Sequence, residues 1–306
     1  MSNLLTCANA ASRPASPSDG DTLYQIDTKQ IIVYDTNTWR VFGADDAEGY
    51  DLDGTNVISA SPAFHFDAGF INGVDDTGNP SNGAELTGQW TSKVRGVTTD
   101  AQSTVSERPH WYASGENSKP YLEFDGANFL NLTERLYCGS SFTILIIAKA
   151  DIQNGFGILG PNGADVDSGL SGTSFKLGTD GIFYGYSSNG ALLYYNDTTQ
   201  GYVVHTMTSG KNYTSQTRSV IFRKDASGGN HYVDGNNAGN NGTGANDNDI
   251  RFGRIGKMRT QALNGKLYEI LIFKSKLTDA DLNAWGAYVT TKYGAGGSGM
   301  EAQVSF

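Results

Sequence analysis

The chain has 306 residues, with 22 Lys+Arg against 32 Asp+Glu and a formal net charge of −10. That balance disfavours non-specific binding to nucleic acid or to an anionic membrane, since both partners are negative. With 39 Gly, 7 Pro, 16 Tyr and 14 Phe but only 18% charged residues, the composition reads as a turn-rich β protein rather than a helical bundle or a disordered chain.

Met1–Thr6 has no basic run and no long apolar stretch, which reads against a secretory signal and for synthesis in a cytoplasm. Residues 1–50 read as a small module. Pro14 and Pro17 hold an extended lead-in, and three short strand-like runs follow: Thr22–Ile26, Ile31–Tyr34 and Thr38–Phe42. Three short strands are marginally stable alone, so this meander is expected to dock on neighbours. The candidate docking residues are Leu23, Tyr24, Ile31, Val33, Tyr34 and Trp39. Residues 51–61, acidic and rich in small side chains, read as a linker.

From 62 to 294, short apolar runs recur between Gly/Asn/Asp clusters at sandwich-like spacing, about eleven in number. The runs Phe142–Ala148 and Leu267–Phe273 are apolar on both faces and are predicted to lie centrally in their sheets. Neither is long enough to cross a bilayer as a helix. One helix is predicted near the end. Thr278 is its N-cap, Asp279 and Asp281 complement its dipole, Leu282, Trp285 and Val289 form its apolar stripe, and Gly294 stops it. Residues 295–306 form a Gly-rich tail ending in a strand-like segment, whose Val304 and Phe306 are further docking candidates at a sheet edge. Cys7 and Cys138 are expected as free thiols.

Several phrases of 62–294 occur in a familiar order. They are Phe64-His65-Phe66-Asp67-Ala68, Gln89-Trp90-Thr91-Ser92, Pro120-Tyr121-Leu122-Glu123-Phe124-Asp125-Gly126, Val233-Asp234-Gly235, Arg251–Gly256, and a closing strand and helix. This order resembles the concanavalin A-like lectin/glucanase superfamily in its laminin-G-like branch. The resemblance implies a mainly β fold: a two-sheet antiparallel jelly-roll sandwich with one C-terminal helix, here preceded by the small meander. The opening phrase, Arg13-Pro14 through Gly20-Asp21, Tyr24, Asp27-Thr28 and Val33-Tyr34-Asp35 to Trp39, resembles those of bacteriophage virion proteins such as head fibres, tail fibres and decoration proteins. Together the two resemblances imply a virion surface protein made in the host cytoplasm. Its implied partners are copies of itself, trimers by analogy with phage appendages, and other virion proteins such as the major capsid protein. A tail appendage that binds host surface glycans is the alternative, and a carbohydrate-active enzyme the third reading.

The glucanases of that superfamily carry two acids on one strand in a pattern like E-x-D-x-x-E. Here Glu123-Phe124-Asp125 is followed by Gly126-Ala127-Asn128, so the second Glu is missing and no catalytic residue is expected. For sugar binding, the candidates that could stack on a ring or bond its hydroxyls are Trp90, Trp111, Tyr112, Tyr194, Tyr195 and Asn196. Aromatics in a β-rich chain are also the ordinary material of cores and cross-strand pairs. No cofactor is expected. Calcium is the one ion that the oxygen-rich loops at Asp75-Asp76, Asp165/Asp167 and Asn246–Asp249 bring to mind, but none has the spacing of a dedicated calcium loop. His65, His110, His205 and His231 lack zinc-like spacing. His65, between Phe64 and Phe66, is expected to face the opposite side of its strand, and Glu269 stands alone among apolar neighbours.

Overall fold

In the computed structural model the described residues are 5–8, 12, 14–18, 21–25, 30–35, 38–42, 50–94, 96–139, 141–151, 156–160, 181–186, 190–197, 201–206, 217–225, 228–241, 250–258 and 261–294. They fall into two compact units, Met1–Gly49 and Tyr50–Phe306.

The first unit is a four-stranded sheet of β1 (Leu5–Cys7), β2 (Thr22–Gln25), β3 (Gln30–Asp35) and β4 (Thr38–Phe42), in that order. The expected meander is the antiparallel part, β2 to β4. The strand β1, which lacks a strand-like apolar pattern, adds to it in parallel.

The second unit opens with a hairpin, β5 (Tyr50–Asp51) and β6 (Val57–Ile58), followed by β7 (Phe64–Asp67), β8 (Ala84–Glu85), β9 (His110–Tyr112) and β10 (Tyr121–Asp125). Next come β11 (Leu130–Gly139), β12 (Phe142–Ala150), β13 (Phe156–Gly160), β14 (Gly181–Tyr186), β15 (Gly190–Asp197) and β16 (Gly201–Thr206). The chain continues through β17 (Arg218–Asp225), β18 (Gly228–Val233), β19 (Asn236–Asn241), β20 (Ile250–Ile255), β21 (Lys257–Met258), β22 (Gln261–Ala262) and β23 (Asn264–Phe273) to the helix α1 (Asp279–Tyr293). The first large sheet runs β19-β18-β17-β12-β23-β10-β9-β8, and β7 pairs with the C-terminal half of β23 beyond β10. The second runs β11-β20-β13-β14-β15-β16. All pairings in both are antiparallel.

One continuous core joins the two sheets. Phe66, Leu122, Phe124, Ile144, Ile146, Phe222 and Ile270 of the first cluster with Leu130, Leu136, Ile158, Phe252 and Ile255 of the second, all buried. The protein is therefore a two-sheet antiparallel β sandwich with a C-terminal helix. The double-sided apolarity of β12 and β23 has a direct cause. Alternate residues of each strand face the sandwich core, and the others, Leu145, Ile147, Leu271 and Phe273, face α1 with its Leu282, Trp285 and Val289. The helix begins and ends where its sequence indicates. The Thr278 hydroxyl accepts from the Asp281 N–H in a full capping box, and Gly294 closes the last turn in the left-handed region at φ 68°. The Val233-Asp234-Gly235 phrase forms the β18–β19 turn, with Asp234 and Gly235 at φ 49° and 77°.

The stretch 51–61 is not a free linker. Leu52 and Ile58 are buried in the cluster beneath α1, and the Asp281 carboxylate accepts from the Ser59 N–H at 2.5 Å and its hydroxyl at 3.0 Å. Its acids mislead because Asp51 and Asp53 serve turn geometry: Asp51 accepts from the Gly54 N–H and Asp53 from the Thr55 and Asn56 N–H groups. The expected strand at 174–177 and the tail 295–306 lie outside the described residues.

Candidate functional site

The outer face of the first sheet carries a buried polar cluster where α1 crosses it. The register places Glu269 opposite Asp67, and His65 opposite Leu271, on β23 and β7. Phe64 and Phe66 face the sandwich core, so alternation sends His65 and Asp67 to the helix side, as the sequence pattern predicts. Above them α1 lowers Tyr288, Lys292 and Tyr293, spaced to reach one spot from successive turns. The β5–β6 hairpin adds Tyr50.

Glu269 is wholly buried, yet its carboxylate is saturated. Oε1 accepts from His65 Nε2 at 2.5 Å and from the Tyr288 hydroxyl at 2.7 Å. Oε2 accepts from Lys292 Nζ at 3.2 Å and from the Tyr293 hydroxyl at 2.8 Å. Burial pushes the Glu269 carboxyl up, but the Lys292 ammonium and the bonds from His65 and Tyr288 overcome it and hold the group far below the usual carboxylate range. Lys292 is held above its ordinary value, because Glu269 and Asp67 outweigh its own desolvation. Burial, then the charge of Glu269, drives the Tyr288 and Tyr293 hydroxyls well above theirs. Tyr50 is raised by the same two causes. On the far side of the imidazole, the Tyr50 hydroxyl meets His65 Nδ1 at 2.7 Å. A neutral ring satisfies both contacts by donating from Nε2 to the carboxylate and accepting at Nδ1.

His65, Asp67 and Glu269 place one ligand atom each within 4.8 Å of one another, the geometry of a candidate metal centre. The protein's own cation takes that place. Lys292 Nζ lies 2.8 Å from Asp67 Oδ2 and 3.2 Å from Glu269 Oε2, and it also donates to the Tyr288 hydroxyl at 2.5 Å. With every carboxylate oxygen of the trio already accepting, these residues do not fit a metal ion. The same saturation denies Glu269 a role as general base, since a base needs a lone pair facing its substrate.

A cleft of ≈ 410 Å³ opens beside this cluster. Asp67, Tyr288 and Lys292 form one wall. Leu52 and Asp53 of the hairpin loop, Phe70, Lys93 and Lys119 contribute the others. Lys93 Nζ stands 4.3 Å over the Phe70 ring and 3.7 Å from Asp67 Oδ2.

The sequence-derived sugar candidates fare unevenly. Trp90 and Trp111 are core residues, not surface platforms. Both are buried, and their indole N–H groups donate to the Asp67 carbonyl at 3.1 Å and the Ala68 carbonyl at 2.8 Å. Trp111 pairs with inward-facing Leu122, which fixes its side. Tyr112 is half-buried and stacks on Tyr121 at 5.1 Å between ring centres, and a bond to Glu123 raises its hydroxyl pKa. Tyr194, Tyr195 and Asn196 lie on β15 in the other sheet, away from Tyr112 in the topology. Of the docking candidates, Leu23 is buried with Cys7 and so belongs to its own unit's core. Tyr24 and Tyr34 are half-buried, Ile31, Val33 and Trp39 lie on β3 and β4, and Val304 and Phe306 fall outside the described residues. Both cysteines are buried, and neither is in a disulfide among the described residues. Of the calcium candidates, Asp75 accepts from the Thr77 N–H and hydroxyl and from Asn72 Nδ2, whereas 165–167 and 246–249 are not described. Glu123 faces His110 and Lys266 across the sheet, and the Asp125 carboxylate accepts from the Ala127 and Asn128 N–H groups in a turn.

No protein-family model matches the chain, and no curated protein sequence matches it. Solved structures do. Domain 4 of AbnA, a GH43 extracellular arabinanase from Geobacillus stearothermophilus, in complex with arabinotriose, is 12% identical over 73% of this chain and 98% of its own, with a TM-score of 0.46. The native heptameric SAP-like pentraxin from Limulus polyphemus is 14% identical over 53% and 80%, with a TM-score of 0.39. The Ruminococcus gnavus IT-sialidase CBM40 bound to α2,3 sialyllactose is 14% identical over 53% and 94%, with a TM-score of 0.37. Likeness this distant transfers no site and no ligand. The sandwich assignment rests on the strand register and shared core.

Proposed function

We propose that the chain is a non-catalytic surface protein of a bacteriophage particle, a capsid decoration or head-fibre protein that acts by docking. The observation that carries the reading is the division into a small β unit over Met1–Gly49 and a large sandwich from Tyr50 onward, where the small unit bears the phrase that resembles virion proteins. In this reading the N-terminal sheet joins neighbouring subunits, copies of the chain and the major capsid protein among them, and the sandwich, of concanavalin A-like type, projects into solvent. The acidic surface keeps crowded copies from adhering to one another. The glucanase-like half motif supports a binding rather than hydrolytic role, because Asp125 is committed to a turn. The test is incorporation. A chain lacking residues 1–49 is expected to fold and to be missing from purified particles, and normal incorporation would refute the docking role.

A tail appendage that reads host glycans is the second reading, favoured by the cleft, which has an apolar flank at Leu52 and Phe70 beside charged groups. A glycan array separates the two.

A further inference from the structure

We propose that the cleft beneath α1 is a binding site for a small organic anion, held between Lys93 and Lys119. Its walls divide into groups whose hydrogen-bonding capacity is spent and groups whose capacity is not. The acids are spent. Asp67 Oδ1 accepts from the Gly69 N–H at 2.8 Å and Oδ2 from Lys292 at 2.8 Å. Asp53 accepts from the Thr55 and Asn56 N–H groups and from both their side chains. Lys292 is spent too, with three donors on three partners, Asp67, Glu269 and Tyr288.

The other two lysines are not. Lys119 makes no ion pair among the described residues, and Lys93 has only the 3.7 Å approach to Asp67 and its place over Phe70. Each ammonium carries three N–H donors. The two charges of Asp67 and Glu269 are shared by Lys292 and, at 3.7 Å, Lys93, so what remains unspent in the cleft is the Lys119 ammonium and the N–H donors of Lys93, in a protein whose net charge is −10. Such walls are complementary to an oxyanion. The volume of ≈ 410 Å³ exceeds what an inorganic anion fills and falls within the range of small-molecule sites. Leu52 and Phe70 supply an apolar flank for the body of the ligand. The ligand class is therefore a carboxylate or similar oxyanion attached to a body about the size of a sugar ring. The site stands whether or not the N-terminal unit anchors the chain, so the truncation experiment and the one below fail independently.

The test is calorimetric titration of the full chain with glucuronate, with glucose as the same ring lacking the carboxylate and inorganic sulfate as the charge lacking the body. Glucuronate is expected to bind, more weakly as ionic strength rises, and both controls to bind at least tenfold less tightly. Lys119→Gln, at a half-buried loop position outside the polar cluster, is expected to weaken glucuronate about tenfold, the worth of one charge-assisted hydrogen bond, with an unchanged melting curve. Lys93→Gln should act in the same direction. Absence of glucuronate binding, equal binding of glucose or of sulfate, or indifference to both substitutions would overturn the proposal.

Discussion

Removing the ammonium from Lys292 is the sharpest probe of the polar cluster. In Lys292→Met the stem is kept and three N–H donors are lost, leaving Asp67 and Glu269, 2% and 0% exposed, without their shared cation. Breaking a buried ion pair by deleting one partner costs about 3–5 kcal/mol. The lower end applies here, because the Lys292 side chain is 17% exposed and Lys93 remains 3.7 Å from Asp67. A loss of about 3 kcal/mol against a urea dependence near 3 kcal/mol per molar moves the midpoint down by about 1 M. The readout is urea unfolding of the full chain followed by tryptophan fluorescence, to which Trp285 on α1 contributes. The pH dependence gives the second arm. The Glu269 carboxyl is held below its unfolded value, so its ionisation stabilises the native state above about pH 4.3, and that stability is lost as pH falls towards the depressed native value. In the variant the bonds from His65 and Tyr288 still favour the Glu269 carboxylate but the ammonium no longer does, so the group takes up its proton at a higher pH than in the native protein and relieves its repulsion with Asp67. The gap between the two stability curves should narrow as pH falls towards the depressed native value. A loss under about 1 kcal/mol at pH 7, or a gap that does not narrow as pH falls from about 5 to about 3, would refute the view that Lys292 offsets the charge of this pair.

Other substitutions test neighbouring parts. Tyr288→Phe takes one donor from Glu269 and one acceptor from Lys292, and should cost about 1–3 kcal/mol by the same urea assay. Thr278→Ala removes the cap of α1, worth about 1 kcal/mol or a fall of about 2–4 °C in the melting temperature by calorimetry. Gly265→Ala should be the most damaging. A Cβ there would lie 2.1 Å from the Lys149 carbonyl oxygen at φ 153°, so loss of soluble folded protein on expression is the expected result, read by circular dichroism. Because Trp90 and Trp111 are buried, glucuronate saturation should leave their fluorescence spectra unshifted.

The frame of the sandwich is legible in residues 62–294 because its signals are local. Phe142–Ala148 and Leu267–Phe273 announce central strands by being apolar on both sides. Thr278 and Gly294 bracket the helix, and Asp234-Gly235 marks a hairpin. Strands without that signature are missed. Leu130–Gly139 carries Glu134 and Arg135 at a break in its register with β20, and Asn236–Asn241, an edge strand of Asn, Gly and Ala, looks like a loop. The polar cluster is half legible. Alternation turns His65 away from the core, and an acid amid Tyr268-Glu269-Ile270-Leu271 is itself a warning of a buried charge with a partner. The partners are 204 residues away in one case and on a helix in the others, and no local pattern specifies such a meeting. The indoles of Trp90 and Trp111 were open to two readings for a similar reason: only the carbonyls of Asp67 and Ala68 reveal that each N–H can be satisfied indoors.

The pairing of β7 with β23 has a consequence for biosynthesis. The partners of Phe64–Asp67 arrive some two hundred positions later, and Ser59 waits equally long for Asp281. Contacts so distant along the chain make closure slow, since a large loop must be ordered before any of them forms. While the polypeptide is still emerging from the ribosome, β12 stands with its β23 side unpaired and its helix-facing side uncovered. A product that stops short of residue 264 would keep that edge open, so nonsense truncations upstream of the final strand should precipitate rather than persist as smaller folded pieces.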